Sequence, residues 1–377
     1  MRIVAIGDIG VENEMIHIGD EAMFGALVAA VRSRGVEHIT GISSNPAESS
    51  ARYGIDAVFP LGFGADRAQN EARMRAALAP APDERTRALV EAVRASDGVV
   101  IAGGGNITSL WPHHVFERAT VGAIAAALGK PLVVTGQTIG PDLDAADAAL
   151  VAPLLDSARL VGVREPSSHA LVTALGVTAP VEQTIDDASY LVDEPPARGD
   201  YCLVSLANHV GGADRDAVVR EVAALLDGLD LPVRFLAHFG SLVPGDSLMH
   251  DRVIAAMHSP ADVVTPTDSE SAARLAREAA FVVSSRYHPV VFAVPAGVPA
   301  LGIPVDGYTS VKLRGALGNF GQDGVLPVDE LLAGRGAAVA SGIWARREEI
   351  RDDAARHSVE KHAASSAWWD RVVAALG

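Results

Sequence analysis

Short apolar runs rich in Val and Ile alternate with segments of helical apolar spacing along most of the chain, and this alternation limits the fold more than any other feature. In the first half, Arg2–Gly7, His38–Ile42, Gly98–Ala102, Leu132–Thr135 and Leu160–Val163 read as strands. Between them Asp20–Arg32, Arg67–Leu78, Glu84–Ala95, Val115–Leu128, Ala145–Leu155 and Pro166–Leu175 read as helices. Strands that are apolar at consecutive positions need cover on both faces, which crossover helices provide only in a parallel, doubly wound sheet. The segment "VDEPPARGD", Val192–Asp200, breaks the rhythm with prolines, a glycine and charges, as a linker does. The rhythm then restarts, with strands at Tyr201–Leu206, Val233–Ala237, Asp262–Thr265, Phe281–Ser285 and Ala300–Val305. Helices are expected at Arg215–Leu226, Ser247–Met257, Ser269–Glu278, His288–Val294 and Val328–Leu332. The fold class is therefore α/β with two domains, 1–197 and 198–345, followed by a helical segment, 346–377, expected to pack back on the first.

Composition removes several function classes. A formal net charge of -16 argues against nucleic acid as a partner, because phosphate contacts need clustered Lys and Arg. An anionic small ligand remains compatible, provided its site is locally positive. With Cys202 as the sole cysteine there is no disulfide framework and no CxxC metal motif, which fits a cytoplasmic location. The opening "MRIVAIGDIG" lacks the layout of a signal peptide. The longest uncharged run, Pro289–Val305, has 17 residues and four prolines, whereas a spanning helix needs about 20 apolar residues. No transmembrane segment is expected. His209, His238 and His250 lack metal-ligand spacing, His113 and His114 are too close together to share a helix face, and no metal site is expected. No GxSxG nucleophile motif occurs.

Ligands of open parallel sheets bind beyond the C-terminal ends of the strands, so the residues that follow each strand are the candidates. After the first strand comes "GDIGVENEMIHIGDEAM", in which Asn13 and Asp20 read as contacts to a substrate hydroxyl. Asp20 reads equally well as a helix N-cap. After "GVVIA" comes "GGGNITSLWP"; the three glycines predict a tight turn with exposed N–H groups, placing Gly104, Gly105 and Asn106 at a ligand. Gln137 follows "PLVVT" in the Gly-flanked "GQTIGP". Arg164 follows "ARLVGV" just ahead of Pro166, either as an anion ligand at a helix start or as the ion-pair partner of Glu165 or Asp186. In the second domain Arg286, Tyr287 and His288 follow "FVVSS". A guanidinium matches a carboxylate or phosphate in bidentate fashion, and a histidine beside it can move a proton near neutrality. Lys312 follows the last strong strand and is either a further cation at the site or a solvated side chain.

Taken in order, "GDEAM", "GGGN", "GQTIGP", "VREPSSHALVTALGV", "DDASYLV" and "SSRYHPVVFAVPAGVPALGIP", followed by Lys312, resemble the polysaccharide pyruvyl transferase family almost end to end. The resemblance implies two Rossmann-like domains facing a cleft, a GT-B-like arrangement with the acceptor on the first domain and the donor on the second. It implies transfer of a pyruvyl unit from phosphoenolpyruvate to hydroxyls of a sugar or glycan, free or lipid-linked, as a ketal with phosphate release. No cofactor is implied beyond phosphoenolpyruvate as donor substrate. Arg164 and Arg286 inherit anion binding, and His288 the catalytic histidine. Tyr287 and Pro289 flank that histidine where the family commonly has Leu and a small residue, and "VENEMIHI" lengthens the first loop. The chemistry suits these residues: the donor carries a carboxylate and a phosphate, His288 would be the general acid toward C3 or the phosphate, and Asp20 or another cleft carboxylate would assist the attacking hydroxyl. A nucleotide-sugar glycosyltransferase, a carboxyvinyl transferase and a non-catalytic anion-binding homologue are the alternative readings.

Overall fold

A computed structural model describes residues 1–10, 16–80, 82–194, 196–240 and 245–377. The chain divides into two compact units, one made of Met1–Glu12, Met23–Asp187 and Ala364–Gly377, the other of Asn13–Ala22 and Ala188–Ala363.

In the first unit the strands run in the order Asp56–Val58, His38–Ile42, Arg2–Ile6, Gly98–Ile101, Leu132–Ile139, Leu160–Val163 and Val181–Gln183, all in parallel register. Gly104–Ile107 pairs beside Leu132–Ile139. The alternation of side chains along each strand divides the core. Ile3, Ala5, Val100 and Val133 meet Phe24, Leu27 and Val31 on one face. Val4, Ile6, Val99, Ile101 and Val134 meet Leu89, Val93, Val121 and Ile124 on the other. Both faces are apolar because both are covered, as parallel sheets require.

The first face is completed by the end of the C-terminal helix, Arg347–Leu376, through Trp368, Trp369, Val372 and Leu376. The expected return of this helix to the first domain is thus found for Ala364–Gly377, while its earlier turns belong to the second unit. Trp368 lies flush on the strand Leu160–Val163, where a Cβ on Gly162 would come within 2.6 Å of the indole. Its Nε1 donates to Thr135 Oγ1 at 2.9 Å, giving the buried ring a partner for its polar tip.

The second unit holds a five-stranded parallel sheet in the order Ala261–Val264, Val233–Leu236, Cys202–Ser205, Phe281–Ser284, Ala300–Gly302. Cys202, Val204, Phe235 and Val283 pack there with Val218, Val222 and Leu226. A two-stranded antiparallel ribbon joins Ile16–His17 to Phe239–Gly240 and draws the start of the helix Ile18–Arg32 into this unit. In both sheets the strand that comes first in sequence lies inside, with its next strand on one side and a later one on the other. The winding reverses there.

Three expectations change. The unit boundary falls at Asp187/Ala188 instead of residue 197, because Tyr190 donates to Ser358 O at 3.1 Å and packs edge-on to Phe320 and His362. Asp20 is no N-cap, since its helix begins at Ile18 and places it in the first turn. The triple glycine forms no open turn: Gly104–Ile107 is a buried strand. Lys312 follows the strand Ala300–Gly302, in keeping with its place in the sequence, and lies on a helix, Gly307–Gly318, opened by an Asp306–Thr309 capping box. Among the described residues no helix is long and apolar enough to cross a membrane.

Trp368→Ala should destabilise the first unit by about 3–5 kcal/mol, the usual cost of emptying a large aromatic site. Denaturant unfolding followed by fluorescence or circular dichroism checks this. An unchanged midpoint would show that the returning helix contributes little to the core.

Candidate active site

In the second unit the winding reverses between Cys202–Ser205 and Phe281–Ser284, where doubly wound sheets offer a crevice to ligands. The two strand ends are tied together there. Ser284 Oγ donates to Ser205 O at 2.9 Å, Ser285 N donates to the same oxygen at 3.0 Å, and Ala207 N donates to Ser285 Oγ at 2.8 Å. The paired serines of "SSRYH" are therefore the fastening from which Arg286 and His288 project. His250 Nε2 accepts from Leu206 N at 3.0 Å, and burial pushes its pKa down to about 4, so it serves as a neutral acceptor.

Arg286 turns its fork onto Asp246: Nε is 3.1 Å from both carboxylate oxygens and Nη2 is 2.5 Å from Oδ1. The Asp246 side chain is fully buried while that of Arg286 is 33% exposed, and the same carboxylate accepts from His238 N at 3.0 Å. The guanidinium is thus held in one orientation with part of its surface still open. His288 is 8% exposed and lies against the backbone of Gly19, where a Cβ would fall 1.8 Å from its Nδ1. His238 stacks parallel to it at 6.2 Å between centroids, and Phe292 packs at 5.9 Å. Burial above all, then the charges of His288 and Arg286, drives the His238 pKa well below the usual histidine value. Tyr287 meets the His288 ring edge-on at 5.0 Å. Lys312 Nζ stands 4.8 Å from the Tyr287 ring and 4.4 Å from that of Tyr308, and donates to the Tyr308 hydroxyl at 3.0 Å. Asp20, next to Gly19, is half-buried with its carboxylate 3.9 Å from His17 Nδ1. This unit therefore gathers Arg286, Tyr287, His288, Lys312 and the Asp20 segment, a fixed cation and a confined imidazole suited to an anion and a proton.

The first unit assembles a second group at its own strand ends. Arg164 is in the core: its Nε donates to Thr138 Oγ1 at 2.8 Å, its Nη1 to Asp186 at 2.5 Å, and its side chain has no exposed surface. Of the two readings of Arg164, the geometry shows the ion pair. The glycines serve close packing in place of an open cradle. A Cβ on Gly103 would lie 2.8 Å from an Asp187 oxygen, and one on Gly136 2.5 Å. Thr135 donates to the same carboxylate at 3.1 Å. Burial, then the charge of Asp186, pushes the Asp187 pKa up to about 8 even though the residue keeps some surface. Gly104 faces Gln137 across the ladder, and a Cβ on it would be 3.1 Å from both Asn106 Oδ1 and Gln137 Nε2. Gln137 Nε2 donates to Ala102 O at 2.5 Å, while Gln137 Oε1 and Asn106 Oδ1 are buried without a hydrogen-bond donor. Two such oxygens can accept from a hydroxyl, and a buried acceptor left unmet costs about 1–3 kcal/mol. Gly105 lies beside them in the same strand. Asn13 lies outside the described residues.

The sequence model of the polysaccharide pyruvyl transferase family matches residues 17–307. The chain belongs to the polysaccharide pyruvyl transferase family, a family of transferases. The match opens at His17, in the ribbon that brings Gly19 to His288, and closes five residues before Lys312. No curated protein matches the chain in sequence. Among solved structures it is similar to a putative UDP-N-acetylglucosamine 2-epimerase from Listeria monocytogenes, with 12% identity over 94% of this chain and 90% of that one and a TM-score of 0.63. It is also similar to S. aureus MnaA, solved with UDP (12% identity, 95% and 92% covered, TM-score 0.62). The calicheamicin glycosyltransferase CalG4 is a third (16% identity, 100% and 98% covered, TM-score 0.57). These likenesses establish the fold, two Rossmann-like units of the GT-B class.

Three residues of these two groups are not among the candidates read from the sequence. His238 follows the strand Val233–Leu236, so the strand-end rule could have singled it out beside Arg286. Asp246 begins a helix and gives no local sign that it will receive an arginine 40 positions away. Asp187 sits in "DDASYLV", but only the fold brings it to Gly103 and Gly136.

Because the Asp187 carboxyl has a higher pKa folded than unfolded, the native state retains its proton longer. Its contribution to stability is complete below about pH 4 and is lost as pH rises through about 8. Asp187→Asn should flatten that slope in unfolding titrations between these limits. An unaltered slope would mean that the carboxyl ionises as an ordinary aspartate.

Proposed function

We propose that this protein moves a pyruvyl group from phosphoenolpyruvate to hydroxyls of a sugar or glycan, forming a ketal and releasing phosphate. The observation that carries the reading is the second unit's junction. A guanidinium fixed by buried Asp246 stands two residues from an imidazole confined by Gly19 and His238, with the Lys312 ammonium beside Tyr287. In this reading Arg286 and Lys312 bind the donor's carboxylate and phosphate. Protonated His288 delivers its proton to C3 of the enol, making C2 electrophilic. A sugar hydroxyl forms the C2–O bond as its proton passes to a carboxylate, with Asp20 the candidate. The C2–O bond to phosphate then breaks, the phosphate leaving with the bonding pair, and a second hydroxyl closes the ketal as its proton passes to the now neutral His288. Asn106 and Gln137 offer carbonyl oxygens for acceptor hydroxyls in the first unit. Membership of a polysaccharide-modifying transferase family supports a glycan acceptor.

A nucleotide-sugar reaction is the second reading, supported by the likeness to a UDP-bound structure. Thermal shift with phosphoenolpyruvate beside UDP separates the two. A ligand at about 100 times its Kd stabilises a fold by about 2.7 kcal/mol, which is readily seen. Stabilisation by phosphoenolpyruvate with phosphate release on adding acceptor supports pyruvyl transfer; stabilisation by UDP alone overturns it.

His288→Ala should lower turnover about 10²–10⁴-fold, the usual contribution of a positioned acid, without loss of folding. Gly19→Ala should lower it too, because the new methyl group must displace the His288 ring. Full activity in His288→Ala would remove the proton-transfer role from this residue.

A further inference from the structure

Arg286 and His288 occupy the C-terminal edge of the second unit's sheet, and the opposite edge carries a cationic cavity that this reading does not use. Arg198 precedes the strand Cys202–Ser205, Arg277 precedes Phe281–Ser284, and Ala296 precedes Ala300–Gly302, so all three mark the N-terminal ends of parallel strands. With Arg351 and His362 from the C-terminal helix they line a cavity of about 490 Å³. Arg277 is 7% exposed, and although its Nη2 donates to Glu194 O at 3.2 Å, its Nε and Nη1 are buried without an acceptor. Arg351 Nε is buried in the same state, its Nη1 being bound to Glu348 at 2.6 Å. Arg198 Nη2 reaches Ala296 O at 3.2 Å. Partial desolvation of its guanidinium, then the Arg351 charge, lowers the Arg198 pKa although the residue as a whole is exposed, so these two cations already repel each other. Asp193 is the one carboxylate among the cavity's lining residues, and it is paired with His362 at 3.2 Å.

A buried guanidinium with unmet N–H groups beside two further arginines is an arrangement that an anion completes. Three planar forks around one cavity match the many acceptors of a phosphate better than a single carboxylate. Apolar Pro295, Ala355 and Val359 supply a wall against which the organic part of a phosphate ester can rest. We propose that this cavity is a second anion site of the protein, separate from the one at Arg286, taking a phosphate or diphosphate ester.

The test uses the full chain carrying Arg286→Gln, so that anion binding at the proposed reaction site is weakened. Inorganic pyrophosphate and glucose 1-phosphate are titrated by calorimetry, the pair distinguishing a bare phosphate from an organic one. The expected result is one binding event that survives Arg286→Gln. It should weaken at least about tenfold on adding Arg277→Gln or, since Arg198 is exposed and safe for folding, Arg198→Gln. Because Arg286→Gln leaves the Asp246 carboxylate buried without its cation, the wild-type chain is titrated beside it. Binding of neither probe to the wild-type protein, or no binding event in either protein that weakens on Arg198→Gln, would overturn the second site. Either result leaves the reading of His288 intact, because turnover of His288→Ala is measured separately.

Discussion

A parallel strand cannot turn directly into its neighbour; the chain must cross over one face of the sheet before it returns. In both units this covers the sheet on its two sides, and residues such as Ile3 and Val4, or Val99 and Val100, face opposite cores with no side left for solvent. Polar chemistry is thereby confined to the strand ends. Within that edge it gathers where the winding reverses, because only there do two crossovers depart to opposite faces and leave a crevice. Arg286 and His288 are where they are for this reason, and the serine fastening between Ser205 and Ser284 keeps the two strand ends in one rigid piece.

The electrostatics of that edge follow from burial. A chain with a net charge of -16 can attract an anion only at a locally positive spot. Asp246 offsets the charge of Arg286, yet a buried carboxylate bound to both the guanidinium and the His238 backbone fixes the fork in place. Removing one partner of such a pair costs about 3–5 kcal/mol, since the other charge is left buried and alone. The net positive charge then rests on Lys312, which is held half-buried by two tyrosine rings. His238 and His250 lie near Arg286 too, but burial above all, with the Arg286 charge adding to it, lowers their pKa values, so they pack as neutral rings and add no charge.

How much of this was legible depends on the range of each interaction. The strands, most helices and the Arg286–His288 junction were readable because periodicity and strand-end position are local properties. The return of the C-terminal helix to the first unit was an expectation drawn from the two-domain architecture; that Trp368 would lie on Gly162 was not legible. Arg164 stood open between a ligand and an ion pair, and only the fold puts Asp186 within reach of its guanidinium. Asp246 lacked a local signature altogether, since what makes it matter is an arginine 40 residues distant, and His238 had only its place after a strand to mark it.

The glycines show the same limit in its sharpest form. "GGG" after a strand has two physical uses: a backbone that must turn or expose its N–H groups, and a surface that something must approach closely. The two are indistinguishable in sequence, because both need only the absence of Cβ. Here the second holds. Gly103 and Gly136 admit the Asp187 carboxylate and Gly19 admits the His288 ring, each at a distance no methyl group would permit. In the two cases the approaching group is titratable, and close packing strips it of water. For Asp187 that desolvation favours the neutral acid and brings its pKa up to about 8. A glycine at a strand end can thus act on chemistry without touching a ligand, by letting backbone crowd an ionisable group.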